Sequence, residues 1–224
     1  MIIAANIRKI KQQIPKHVQL VAVSKTKPVE LLMEAYHAGQ RAFGENRVQE
    51  LLTKQPLMPD DVEWHLIGHL QTNKVKYIAP FIHLIQSVDS LKLLETINKE
   101  GEKNKRVINV LLQVFIAKEE TKFGLNEDEL HELLVFCLNK PMQHICICGL
   151  MGIATNTEDK LEIIKEFNYL KGIFDNLKSN KKYEHILSSN HFNLLSMGMS
   201  SDYDEAINSG SNIVRVGSAI FGNR

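Results

Sequence analysis

Val18-Gln-Leu-Val-Ala-Val-Ser24-Lys25-Thr26-Lys27-Pro28 is an apolar run that stops at a lysine and then turns. Its composition and length suit a buried strand, and Pro28 suits the first turn of a helix, with Gly39 past its end. A strand interior excludes lysine. Lys25, at the carboxyl end, therefore either snorkels to solvent or stands there for chemistry.

The same strand-then-helix unit recurs along the chain. After an opening helix around residues 4–14, strand-like runs appear at Gln19–Ser24, Arg41–Gly44, Glu63–Ile67, Ile82–Gln86, Val107–Val114, His144–Leu150, Phe192–Leu195 and Ile213–Val216. A helical pattern follows each of the first seven. Asp89 is expected to cap the fourth of these helices and Gly101 to close it; Asn126 with Glu127, Asp128 and Glu129 starts the fifth. The sixth is the longest, with Leu161, Ile164, Phe167, Leu170 and Phe174 at helical spacing as its core stripe. The seventh runs from Ser201-Asp202 to Gly210, and a stub, Ser218 to Gly222, follows the last strand.

Strands alternating with helices imply a parallel sheet. Eight such units suggest closure into a single (β/α)₈ TIM barrel spanning residues 1–224. An open doubly wound sheet is the alternative, but the first turn, Ser-Lys-Thr-Lys-Pro, has no G-x-G-x-x-G.

Composition narrows the function classes. Lys and Arg number 27 against 26 Asp and Glu, a formal charge of +1, so no overall field favours nucleic acid or an anionic membrane. The amino terminus is charged too soon for a secretory leader, and no apolar run nears the roughly 18 residues of a membrane span. Of the three cysteines, Cys146 and Cys148 share a strand face as small core residues. No further ligands at metal spacing accompany them, and the cytosol is the expected compartment. His65 and His69 form an H-x-x-x-H pair, but across a strand end rather than on one helix face, so structural roles are expected and no metal.

A barrel's active face is built by the loops after its strands, and phosphate docks after strands 7 and 8. Ser196-Met-Gly-Met-Ser200-Ser201-Asp202 and Gly217-Ser218 occupy those places, each leading into a helix with free backbone N–H groups. Strand 8 borders strand 1 in a closed barrel. Period-two alternation puts Val21, Val23 and Lys25 on one face, and Ile213, Arg215 and Gly217 on another. With both faces inward, a lysine, an arginine and an anion cradle converge, which suits a phosphorylated aldehyde. A lysine amine attacks a carbonyl only after losing its proton, so its free pKa of about 10.4 needs lowering by burial and neighbouring cations such as Lys27 and Arg215. The bland reading pairs Arg215 with a buried carboxylate.

Longer matches add to this. Val23-Ser-Lys25-Thr-Lys-Pro28, Phe43-Gly-Glu-Asn46, His65-Leu-Ile-Gly-His-Leu-Gln-Thr-Asn-Lys74, Gln86-Ser-Val-Asp-Ser90, Lys122-Phe-Gly124, Ser196-Met-Gly-Met-Ser200 and Val214-Arg-Val-Gly217 with Ile220-Phe-Gly222 cover nearly the whole chain in order. Together they resemble the pyridoxal-phosphate homeostasis proteins, the YggS/PROSC family. The resemblance implies a barrel like the amino-terminal domain of alanine racemase, with pyridoxal 5′-phosphate as cofactor. Lys25 would be the Schiff-base lysine. Ser200, Gly217 and Ser218, with Ser201 as a weaker candidate, would hold the phosphate. Arg215 would face the pyridine nitrogen, and Asn46 would line the pocket. Two departures stand out: Cys148 where the family usually has arginine, and Phe115 where many members carry asparagine.

Physics then weighs catalysis against cofactor handling. A protonated ring nitrogen is the best electron sink, and a permanently cationic arginine opposes that proton. Racemases with an arginine here draw a second acid/base residue from another domain, whereas this chain ends at Arg224, after the barrel. The expectation is a monomeric, non-catalytic protein that holds the cofactor and passes it to apo-enzymes. The alternative is a small racemase or lyase using His65, His69, Tyr36 or Tyr203. Barrel logic alone also permits a lysine-dependent aldolase. Lys74 and Lys76 are candidates for a partner-docking face, with a solvated helix surface as the plainer reading.

Overall fold

The computed structural model describes residues 2–119, 123–188 and 190–222, so Lys122 of one quoted motif and the terminal Arg224 lie outside the described residues. In chain order the elements are α1 (Ile2–Gln13), β1 (Gln19–Val23), α2 (Val29–His37), β2 (Ala42–Glu45), α3 (Val48–Lys54), β3 (Glu63–Leu66), α4 (Val75–Ile78), β4 (Leu84–Val88), α5 (Leu91–Lys103), β5 (Ile108–Gln113), α6 (Glu127–Asn139), β6 (Ile145–Met151), α7 (Lys160–Ser179), β7 (Leu194–Ser196), α8 (Tyr203–Asn208), β8 (Ile213–Val216) and α9 (Ser218–Phe221). The strands are parallel and close in sequence order, β8 returning to β1 through pairs that run from Gln19–Ile213 to Ala22–Val216. This is the (β/α)₈ barrel the alternation predicts.

Two apolar layers hold it. The larger joins the outward faces of the strands to the helices, from Ile3, Ile7 and Ile10 of α1 round to Phe221 of α9. The smaller is the barrel interior: Val21, Ala42, Leu84, Leu111, Cys148, Met151 and Ile213. Paired residues in a parallel sheet point the same way, so the register that matches Val21 with Arg215, and Gly44 with His65, carries the arginine and the histidine inward. Both are buried.

Several local details differ from the sequence pattern, each for a physical reason. β4 begins at Leu84 rather than Ile82, a slip of two that leaves every side chain on its expected face. Ser90 caps α5, its hydroxyl accepting from the Leu93 N–H at 3.3 Å, because Asp89 is engaged by His69 at 2.8 Å. Gly101 lies inside α5, which runs on to Lys103. Leu161 of α7 is 79% exposed and Ile164 only half-buried. At 100° per residue Leu161 stands roughly 240° round the helix from Phe167, and the buried stripe is Ile163, Phe167, Leu170 and Phe174. α8 starts at Tyr203, just past Ser201-Asp202. The start of α6 is as expected: the Asn126 side chain accepts from the Glu129 N–H, and the Glu129 carboxylate accepts from the Asn126 N–H, both at 2.9 Å.

Candidate functional site

A cavity of about 440 Å³ opens at the carboxyl ends of the strands, and Lys25, Asn46, Ser200, Ser201, Arg215, Gly217 and Ser218 all line it. The structure therefore brings together the seven residues expected to line a cofactor site. The size suits a small-molecule ligand.

On one wall, the chain leaving β1 makes a tight turn in which the Lys27 N–H donates to the Ser24 carbonyl at 3.0 Å. Lys25 is half-buried beside it. Thr26 sits at φ 62°, a left-handed conformation that a β-branched residue adopts only under constraint. An ionic cluster supplies the constraint. The ammonium of Lys54, 5% exposed, donates to the Ser24 carbonyl at 2.7 Å, to Glu45 Oε1 at 2.7 Å and to Glu50 Oε1 at 2.6 Å. Glu50 Oε1 also accepts from the Thr26 N–H at 2.5 Å, and the Ser24 hydroxyl donates to Glu45 at 2.6 Å. Burial pushes the Glu45 carboxyl upward in pKa, opposed by those bonds from Lys54 and Ser24. Lys27 reaches across the seam to the carbonyls of Phe221 and Gly222, at 3.3 and 3.0 Å.

The opposite wall uses neutral groups. The turn after β7 passes through Gly198 at φ 89°, where a Cβ would lie 2.6 Å from the Ala206 Cβ. Asp202, buried, accepts from the Met199 N–H at 2.5 Å and closes the turn. Ser200 accepts from the Gly217 N–H at 3.2 Å, joining the β7 and β8 exits, while the Ser201 and Ser218 side chains are exposed.

Arg215 forms the floor. Its guanidinium donates to the Ser196 hydroxyl at 2.5 Å, the Ser196 carbonyl at 3.0 Å and the Gly152 carbonyl at 2.9 Å. Among the described residues no carboxylate lies within ion-pair distance of it, so the pairing considered from sequence is not what is found. Burial lowers its pKa to about 10, with Asp202 acting the other way, and it remains a cation at neutral pH. The Ser196 hydroxyl passes the chain on to Gln86 Oε1 at 2.7 Å, and Gln86 Nε2 lies 2.8 Å from His65 Nδ1. Burial, then the neighbouring His83, pulls His65 down to about 3, so the ring is neutral. A polar seam thus crosses the barrel interior.

Asn46 completes the lining from the β2 exit. Its Oδ1 is buried without a hydrogen-bond partner, an acceptor left unsatisfied at the edge of the cavity. Gly68 permits this close approach, since a Cβ there would meet the Asn46 carbonyl oxygen at 2.4 Å. A half-buried amine, an orphaned amide oxygen, a buried cation and a cradle of hydroxyls fit an aldehyde that carries a phosphate.

The acid/base candidates of the alternative reading lie elsewhere. His65 is inside the barrel. His69 pairs with Asp89 and stacks on Phe123, Tyr36 donates to Asp61 at 2.7 Å, and Tyr203 donates to Gln13 at 3.2 Å. Phe115 and Cys148, the two departures from the family pattern, do not line the cavity. The Cys148 thiol faces Cys146 Sγ at 3.6 Å; Cys148 is buried, Cys146 only half so. The sequence pattern points to no individual role for Glu45, Glu50, Lys54, Gln86 or Ser196, although Glu45, Gln86 and Ser196 stand within the quoted motifs. The one available signal for the ionic cluster was the i, i+4 pair Glu50–Lys54.

Comparison with known proteins agrees with this geometry. The model of the alanine racemase N-terminal domain matches residues 2–224. The pyridoxal phosphate homeostasis protein of Haemophilus influenzae is 40% identical over 210 residues, covering 92% of this chain and 85% of that one. The protein of the same name from Schizosaccharomyces pombe is 43% identical over 216 residues, covering 93% and 85%. The structure of PipY from Synechococcus elongatus with PLP bound superposes with a TM-score of 0.88 at 35% identity, covering 98% of this chain and all of that one. The chain belongs to the pyridoxal phosphate homeostasis protein family, built on the alanine racemase N-terminal domain barrel.

Proposed function

We propose that this protein binds pyridoxal 5′-phosphate, holds it through Lys25 as a Schiff base, and regulates its supply to apo-enzymes without turning over a substrate. The observation that carries the reading is the convergence, in one cavity, of the Lys25 amine, the orphaned Asn46 oxygen, the Arg215 cation and the Ser200–Gly217 cradle. PipY, which shares the fold and 35% of its sequence, is described with PLP bound.

In this assignment Lys25 supplies the amine for the aldehyde. Ser200, Gly217 and Ser218, with Ser201 beside them, supply hydroxyl and amide donors for the phosphate, and Asn46 orients a polar ring substituent. The bound cofactor would supply a reactive aldehyde and an electron-accepting ring. Arg215, if it faced that ring's nitrogen, would oppose its protonation, because a fixed cation disfavours a second positive charge beside it, and this would weaken the ring as an electron sink. The only titratable side chains among the described cavity-lining residues are Lys25, Lys27 and Arg215. Racemisation needs an acid/base group on each face of the substrate, and neither of the other two is placed as an independent partner to Lys25: Lys27 is bound to the Phe221 and Gly222 carbonyls and Arg215 to Ser196 and Gly152. These features support storage over catalysis.

We further propose that the protein works as a monomer in the cytosol; among the described residues no helix is long and apolar enough to cross a membrane. Lys74 and Lys76 flank the exposed ring of Tyr77, at 6.0 and 4.9 Å from its centroid, and a solvated helix surface stays the plainer reading of them beside partner docking.

The test is spectroscopic. The purified protein is expected to show an imine absorbance band, to give a borohydride-stable adduct mapping to Lys25, and to lose both in Lys25→Ala. Turnover of any amino acid, abolished in that variant, would overturn the carrier reading; a tag on another residue would overturn the site.

A further inference from the structure

The amino-terminal mouth of the barrel, opposite the cofactor cavity, carries a second polar cluster. Glu63 opens β3, His65 follows on the same face, and His83 immediately precedes β4. One ligand atom from each lies within 4.8 Å of the others. His65 is fully buried and its Nε2 has no hydrogen-bond partner, while Nδ1 is engaged by Gln86. Glu63 is half-buried, with Oε2 accepting from the Gln19 amide at 3.1 Å, and His83 is exposed.

We propose that Glu63, His65 and His83 form a binding site for a divalent transition-metal ion of the zinc type, its remaining coordination position open to solvent. The donor set selects the class: two imidazole nitrogens and one carboxylate suit zinc and its neighbours, whereas calcium and magnesium demand oxygen alone. Buried ring nitrogens are almost always satisfied, so an unpartnered one on a histidine clustered with a carboxylate and a second imidazole points to a ligand. The other nitrogen of His65 already has the kind of neighbour that fixes a ligating histidine. Gln86 serves once its amide is read with oxygen toward His65 and nitrogen toward the Ser196 hydroxyl, which then accepts from both Gln86 and Arg215.

Closure is modest. Ligand atoms about 2.0–2.2 Å from a tetrahedral ion lie roughly 3.4 Å apart, so the cluster must contract from its present spread. The rings of His65 and His83 now stack, with centroids 5.5 Å apart and planes 13° from parallel. His83 must therefore swing its nitrogen toward the ion, and an exposed side chain does so by an ordinary rotamer change. The two outer ligands leave an entry path from solvent. Sequence reasoning expected no metal because it paired His65 with His69. The register that sets His65 opposite Leu84 delivers His83 instead.

The site is separate from the cofactor cavity and is tested without reference to it. Untagged full-length protein in phosphate-free buffer is titrated with Co²⁺ and then Zn²⁺. The expected result is one ion per chain, visible ligand-field absorption from Co²⁺, and displacement by Zn²⁺. Binding should weaken about tenfold or more in both His83→Ala and Glu63→Gln, which alter solvent-facing groups and should retain the wild-type circular dichroism spectrum. It should persist in the Cys146→Ser/Cys148→Ser variant. Absence of saturable binding, binding unchanged in both ligand variants, or binding lost with the cysteines would each overturn the proposal.

Discussion

The two walls of the cofactor cavity are built from opposite chemistries. On the β1 side, three charged groups, Lys54, Glu45 and Glu50, clamp the backbone from Ser24 to Thr26. On the β7–β8 side, hydroxyls and backbone amides do the work, and the single carboxylate, Asp202, is spent on closing its own turn. The covalent capture proposed for Lys25 needs an amine held in a fixed direction, and a network of charge-assisted hydrogen bonds provides that rigidity. An anion needs donors that remain available, and neutral donors on turns provide them without competing carboxylates.

The largest test of this contrast is Lys54→Met. It removes the only cation among the described partners of buried Glu45 and is expected to cost about 3–5 kcal/mol, since breaking a buried pair leaves its partner charge uncompensated. Urea unfolding measures it. If the clamp also directs Lys25, the imine band should weaken in the fraction that stays folded. A loss below about 1 kcal/mol with an unaltered band would show that the wall needs no ionic support.

Gly198→Ala strikes the other wall. The left-handed backbone and the 2.6 Å approach to Ala206 predict a loss of about 1–3 kcal/mol, together with weaker retention of the cofactor on dialysis. Equal stability and retention would mean that the turn relaxes freely and that its geometry is not what presents the donors.

Glu50→Gln sharpens the comparison at lower cost. The amide can still accept from the Thr26 N–H but loses the charge toward Lys54, so the expected loss is about 1 kcal/mol, seen as a small shift in the urea midpoint. Ser200→Ala should change stability least, within about 0.5 kcal/mol, while raising the concentration of inorganic phosphate-free cofactor needed for saturation. A stability loss larger than that of Glu50→Gln would reverse the assignment of rigid and open walls.

Much of the architecture was legible from the chain. Eight apolar runs separated by amphipathic segments predict a closed parallel barrel, and period-two alternation turns Lys25 and Arg215 inward. Consecutive small residues after the last two strands mark the anion side. All seven expected site residues meet in one cavity because strand order in this barrel follows sequence order, so β8 and β1 become neighbours by closure alone.

What local pattern could not supply were contacts across the barrel or between a helix and the turn above it. Asp89 read as a helix cap until His69 claimed it; Leu161 read as core until the phase of α7 placed it outside. The Lys54 clamp, the seam from Arg215 through Ser196 and Gln86 to His65, and the meeting of His65 with His83 depend on inter-strand register and helix docking. Those are set by packing of the whole core, not by the neighbours of any residue in sequence. The chain alone determined strand order, facing and the chemical character of the rim. Tertiary structure decided which polar groups are buried together, because only closure of the barrel removes them from water and forces each to find a partner.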